Sequence, residues 1–162
     1  MADTRVLIVY YSRSGTTRKV AESLSALLQC EIEEIVEARD RFGILGILRS
    51  MIEAVRKRPS SIISPQKDPA SYDLVIVGTP VWAWSVSSPV RAYLMAKRSR
   101  LPEVAFFCTC GHRGSESTFA EMENIIGKAP CACCGLVARA VISGIYTPSL
   151  AEFVKSLGRS TP

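Results

Sequence analysis

Short apolar runs alternating with longer amphipathic stretches constrain this chain more than any other feature of it. The runs are five to seven residues long and the stretches between them ten to fifteen. That alternation is the pattern of βαβ units wound around a parallel sheet, because a strand covered by helices on both faces has no polar side to show. Five strands are expected: Arg5 to Tyr11, Cys30 to Val36, Tyr72 to Gly78, Glu103 to Thr109 and Leu136 to Ile142. The first is uniformly apolar after Arg5 and belongs at the centre. The second interposes Glu31, Glu33 and Glu34 among Ile32, Ile35 and Val36, charges that suit a blunted edge strand.

The helices between them have readable ends. Thr147-Pro148, then Leu150, Phe153, Val154 and Leu157, then Gly158, gives an N-cap, a proline at the first helical position, one apolar face and a terminating glycine. Ser88-Pro89 with Val90, Tyr93 and Leu94 repeats the design. Val20, Leu24, Leu27 and Leu28 mark the first helix, after Gly15. Ser115 to Lys128 forms another, with Phe119, Met122, Ile125 and Ile126 as its apolar face. Phe42 to Lys57 is a further helix, weakened early by Gly43 and Gly46. Arg58 to Ala70, with Pro59, Pro65 and Pro69, reads as a surface loop. With 162 residues, 48% of them hydrophobic, one doubly wound α/β domain over 1–162 is expected.

The net charge of +5 suits an anionic ligand or an acidic partner. It does not point to nucleic acid, since apart from Arg56-Lys57-Arg58 and Lys97-Arg98-Ser99-Arg100 the basic residues are scattered. No apolar run approaches the roughly 20 residues that span a bilayer, so no transmembrane segment is expected. The start of the sequence lacks the pattern of a signal peptide, and the six cysteines read as thiols, which together suggest a cytoplasmic protein.

In an open parallel sheet, ligands bind beyond the carboxyl ends of the strands. After the first strand comes Ser12-Arg13-Ser14-Gly15-Thr16-Thr17. Its hydroxyls, its glycine and the free amides of a helix start form a cradle for a phosphate. Neither the lysine of a Walker loop nor the Gly-x-Gly-x-x-Gly of dinucleotide folds is present. After the third strand, Gly78-Thr79-Pro80-Val81-Trp82-Ala83-Trp84-Ser85 gathers both tryptophans into one loop, where rigid aromatics suit a planar ring. After the fourth, Thr109-Cys110-Gly111-His112-Arg113-Gly114-Ser115 brings glycines and the only histidine.

These residues resemble the flavodoxins and flavodoxin-like FMN proteins. Ser12-x-Ser14-Gly15-x-Thr17 is similar to the family's phosphate loop, and Asp73 to Trp82 resembles the third strand and first flavin loop of the branch with a Gly-Ser/Thr-Pro-x-Trp pattern. The resemblance implies a five-stranded sheet of order 2-1-3-4-5 with helices on both faces, holding FMN non-covalently. Ser12, Ser14, Gly15, Thr16 and Thr17 would hold the phosphate. Thr79, Pro80, Val81 and Trp82 would line one side of the isoalloxazine, and Thr109, Cys110 and Gly111 the other. Two features depart from simple flavodoxins. Ala83 follows Trp82 where a glycine eases a peptide flip that favours the flavin radical, and the chain is basic where electron-carrying flavodoxins are acidic. Two roles are therefore expected of bound FMN: electron transfer with a redox partner protein, or NAD(P)H-dependent reduction of a quinone or other small molecule. A binding module that never holds flavin is a third reading.

Cys108, Cys110 and His112 with Cys131, Cys133 and Cys134 have the right types for zinc. The expected topology sets the two groups a strand length apart, about 15 to 20 Å, so no metal site is expected. Cys108, Cys133 and Cys134 then read as small buried hydrophobes, and Cys110 as a thiol facing the flavin, either redox-active or only a neighbour. Phe42 to Leu48 is broader in apolar character than one sheet contact needs and is a candidate homodimer face.

Overall fold

The computed structural model describes residues 4–38 and 59–158, together with Leu48 and Ile52. In chain order the elements are β1 (Val6–Tyr10), α1 (Thr16–Leu28), β2 (Glu31–Glu34), β3 (Leu74–Trp82), β4 (Ser85–Val86), α2 (Ser88–Lys97), β5 (Glu103–Cys110), α3 (Ser115–Ile126), β6 (Cys133–Val137), α4 (Ala138–Ser143) and α5 (Thr147–Ser156). The sheet runs β2-β1-β3-β5-β6, parallel throughout, and β4 adds two residues antiparallel to β3. Counting only the parallel strands, this is the expected order 2-1-3-4-5.

Alternation along the central strands divides the core into two layers. Val6, Ile8, Leu74, Ile76, Ala105 and Phe107 face Val20, Ala21 and Leu24 of α1 and Leu150, Phe153 and Val154 of α5. Leu7, Val9, Val75, Val77, Val104 and Phe106 face Val90, Tyr93 and Leu94 of α2 and Met122 and Ile126 of α3. Every residue of β1 is buried, whereas β2 at the end of the sheet is mostly half-exposed, as its glutamates require.

The last strand is displaced from its expected position. It covers Cys133–Val137, and Ala138–Ser143 is helical, although Leu136 to Ile142 reads as one apolar strand. β5 ends at Cys110, which pairs with Val137, so no neighbouring backbone continues beyond that register. The backbone after Val137 satisfies its polar groups by coiling instead, and Ala138, Arg139 and Ala140 favour that choice.

This shift also overturns the expected separation of the cysteines. Cys134 pairs with Phe107 and Gly135 with Cys108, so β6 thiols lie beside β5 rather than a strand length away. They still do not converge. Cys134 belongs to the layer of α1 and α5, while Cys108 lies on the opposite face, where a Cβ at Gly135 would meet both its sulfur and Ser115. Among the described residues no group of three or more His, Cys, Asp or Glu side chains is placed to hold a metal. Cys133 is exposed, contrary to its reading as a buried hydrophobe. The expected helix from Phe42 to Lys57, and with it the dimer face Phe42 to Leu48, lies outside the described residues except for Leu48 and Ile52, which are helical and half-exposed.

Candidate functional site

β1, β3 and β5 are neighbours in the middle of the sheet, so the three segments that follow them come together at its carboxyl edge. From Tyr10 the chain passes through Ser12–Gly15 into α1. Gly15 precedes the helix with φ 90° and ψ −9°, a left-handed position that glycine takes without penalty. Its N–H donates to Ser12 Oγ at 3.1 Å, and the hydroxyls of Ser14 and Thr16 lie 3.2 Å apart. Among the described residues no side chain caps α1, and its first turn holds no acidic residue. The partial positive charge of the helix start would favour an anion there. Thr17 is buried instead, its hydroxyl 2.8 Å from that of Thr109, which ties α1 to the end of β5.

Gly78 to Ser85, expected to be a loop, is a hairpin. β3 continues through Thr79, Pro80 and Val81 to Trp82, Ala83 and Trp84 make the turn, and β4 pairs Ser85 with Trp82 and Val86 with Val81. Ala83 has φ 48° and Trp84 φ 59°. Tight two-residue hairpins of the mirror-image type I demand positive φ at both positions and normally use Asn-Gly. For residues with a Cβ, each such angle costs ~1–2 kcal/mol. Thr79 is buried, its hydroxyl 2.8 Å from the Pro80 carbonyl and 2.9 Å from Ser87 Oγ. Pro80, Val81 and Trp82 are half-buried, and Trp82 meets the Tyr11 ring edge-on at 5.6 Å. Trp84 is 69% exposed.

On the third segment, Thr109 and Cys110 are buried while Gly111, His112 and Arg113 are exposed. The Cys110 thiol is directed at the Leu136 carbonyl at 3.7 Å, toward β6. Burial pushes this thiol up, and burial with the neighbouring thiols pushes Cys108 up as well. Both are protonated packing groups at neutral pH, not activated nucleophiles. Around Gly111 there is open space, whereas a Cβ at Gly114 would sit 2.9 Å from Val81 and 3.1 Å from the Trp84 backbone.

Several residues that shape this site were not singled out from the sequence. Arg91 Nη2 lies 2.8 Å from Glu121 Oε1 and donates to Ser85 Oγ at 2.9 Å. Ser85 in turn donates to Glu121 Oε2, which also accepts the Val86 N–H at 3.1 Å. Ser117 Oγ donates to the Trp84 carbonyl at 2.8 Å. The available signal was charge out of place: Arg91 follows Val90 at the buried start of α2, and Glu121 adjoins Met122 in the core of α3.

The sequence profile of the Flavodoxin family matches residues 5–141. No curated protein matches the chain. Among solved structures, the fold is similar to that of a flavoprotein from Lactobacillus acidophilus NCFM in complex with FMN, with a TM-score of 0.69 at 22% identity over 86% of this chain and 97% of that one. The apo-form of the flavoprotein from Lactobacillus acidophilus NCFM gives a TM-score of 0.59 at 25% identity, covering 85% and 92%. The two-electron reduced flavodoxin of Megasphaera elsdenii gives 0.56 at 16%, covering 91% and 96%. Because the profile takes in the hydroxyl-lined turn, the tryptophan hairpin and the Thr109 to Gly111 segment together, the chain belongs to the flavodoxins, a family of FMN-binding proteins.

Proposed function

We propose that this chain is a single-domain, FMN-dependent redox protein of the cytoplasm that exchanges electrons with a partner protein. The observation that carries the reading is the start of α1, uncapped, without an acidic residue in its first turn, and preceded by a left-handed glycine among hydroxyls. Those donors fit a phosphate dianion. Ser12, Ser14, Gly15, Thr16 and Thr17 would hold that phosphate, Thr17 through its amide because its hydroxyl is engaged by Thr109. Thr79, Pro80, Val81 and Trp82 would border the isoalloxazine on one side and Thr109, Cys110 and Gly111 on the other, with Thr79 and Thr109 contributing backbone rather than hydroxyl. Bound FMN supplies the chemistry, accepting and returning one or two electrons. The chain's residues fix its position and keep one face of the ring from water.

A second reading is that NAD(P)H reduces the same FMN, which then passes electrons to a quinone or another small molecule. Its support is charge: Arg13, Arg113 and Arg139 are exposed on the segments that leave β1, β5 and β6 at the carboxyl edge, where an anionic donor would approach.

Titration of the purified protein with FMN, followed by anaerobic reduction under a visible spectrum, tests both. A retained yellow cofactor is expected, and a colourless protein that binds no FMN would leave only a fold without its redox role. A blue radical with no oxidation of NAD(P)H favours the carrier; direct NAD(P)H turnover with a quinone favours the reductase. Gly15→Val adds a residue-level check. Open space surrounds that Cβ position, so the sheet should fold, but at φ 90° a β-branched residue distorts the cradle. FMN affinity should fall by about tenfold or more; unchanged affinity would remove the turn from the site.

A further inference from the structure

The turn at Ala83 and Trp84 is doubly unfavourable in isolation, and it borders the cofactor face. What holds it is a set of buried polar contacts reaching in from α2 and α3. The Arg91 side chain is 5% exposed and that of Glu121 12%. Together they take up the hydroxyl of Ser85 and the N–H of Val86, the two residues of β4. β4 is too short to fix a hairpin by its own ladder, which has only the Trp82–Ser85 and Val81–Val86 pairings. Ser117 takes the Trp84 carbonyl from α3, and Gly114 lets the β5–α3 connection touch the turn backbone. The pair borders a cleft of about 460 Å³ lined by Arg91, Ser117, Ala120, Glu121, Asn124 and Ile125.

We propose that Arg91 and Glu121 are positioning residues for the flavin, fixing Ser85 and Val86 so that Ala83 and Trp84 stay in the left-handed geometry the bound ring requires. Neither residue touches the cofactor. The pair is a preorganising device: it holds the strained turn before FMN arrives, so that ordering the turn is not charged against binding. A buried pair whose only use were stability would be a poor investment, since well-packed apolar residues of similar volume serve as well or better. Its placement under the turn gives it a specific task.

This inference rests on the reading that the hairpin borders FMN, and the experiment separates the two. Glu121→Gln keeps the shape but removes the charge and turns one of the two acceptor oxygens into an NH2 donor. Arg91→Lys keeps charge but loses the planar group that reaches Ser85 and Glu121 together. In each variant without FMN, hydrogen exchange at residues 82–87 should accelerate about tenfold or more, and exchange in β1 and β5 by no more than the loss of global stability accounts for. FMN affinity, read by quenching of flavin fluorescence, should fall about tenfold, the strain at one left-handed residue expressed as a ratio. The decisive arm is rescue. Ala83→Gly placed in the Glu121→Gln background removes the backbone penalty and should restore affinity to within about threefold of the parent. Affinities are compared at a temperature where parent and variants are fully folded, so a change in global stability does not enter the ratio. Unaltered exchange at 82–87 in both variants overturns the proposal even in a protein that binds no FMN. Accelerated exchange with unaltered FMN affinity overturns the link to the cofactor while leaving the FMN site standing, as does failure of Ala83→Gly to rescue.

Discussion

A carboxylate that shares a core with an arginine titrates differently from one in water, and Glu121 makes the difference measurable. Burial pushes its carboxyl up, but the hydrogen bonds from Ser85, Arg91 and the Val86 N–H, with the Arg91 charge, outweigh that and hold it below its ordinary value of 4.5. Because the folded value is the lower one, the ionised pair contributes fully above the unfolded value and is lost as pH falls through the folded value. Glu121→Gln should therefore destabilise the protein by ~2 kcal/mol at neutral pH, as loss of charged hydrogen bonds does. The gap between parent and variant in thermal unfolding should close at acid pH, below the ordinary carboxylate range. A gap that persists there would mean the charge is not what stabilises. The sequence could not announce this pair. Arg91 and Glu121 are 30 positions apart on separate helices, and only the packing of α2 against α3 converts two misplaced charges into partners. The turn from Ser12 to Thr17 could be expected from the sequence for the opposite reason, since a hydroxyl-lined turn into a helix formed within six consecutive residues needs no tertiary knowledge.

Elements were readable where both ends carried their own chemistry. α5 begins at Thr147-Pro148 and is followed by Gly158 with φ 70°, and α2 begins at Ser88-Pro89, where the prolines placed them, although Thr147 and Ser88 are the first helical residues rather than caps and Tyr146 and Ser87 precede them without a side-chain cap. β6 was misplaced because its end is set by its neighbour: the ladder stops where β5 stops, which Leu136 to Ile142 cannot reveal by itself. The extension of β3 was hidden by Pro80, which looks like a loop residue yet sits in register with Thr109. One residue of β3 carries its own test. Gly78 lies opposite Phe107, and a Cβ there would come within 2.0 Å of the Phe107 ring. Phe107 is fully buried beneath α1 and α5, so neither ring nor strand has room to give. Gly78→Ala should cost ~2–3 kcal/mol of stability through overpacking, a fall of about 5 to 10 °C in melting temperature for a domain of this size. Phe107→Leu in the same chain should recover part of that loss. A Gly78→Ala protein as stable as the parent would show that the strand pair is looser than its register implies.

At the scale of the whole molecule, the distribution of charge matters more than its sum. Arg13, Arg113 and Arg139 are all exposed on segments leaving the carboxyl edge of the sheet. Arg18, also in the first turns of α1, is neutralised by Glu34 at 2.7 Å and belongs to the edge of the sheet rather than to the mouth of the site. Arg13, Arg113 and Arg139 border the end where the hydroxyl-lined turn opens, with Glu116 the exposed carboxylate in the first turn of α3, and an anion diffusing in near these arginines would be drawn to that end. FMN carries its charge on the phosphate and riboflavin has none, so the two ligands separate steering from stacking. In stopped-flow mixing with the apoprotein, the FMN association rate should fall about tenfold as salt rises and the screening length shrinks from ~30 Å at 0.01 M to ~3 Å at 1 M. Riboflavin association should stay nearly flat over the same range. Neutralising Arg13 and Arg113 together as glutamines should flatten the FMN curve while leaving its dissociation rate largely unchanged, since exposed rim charges act on encounter more than on residence. Equal salt dependence for the two ligands would show that the basic rim does not steer, and would remove the electrostatic case for an anionic donor at the same mouth.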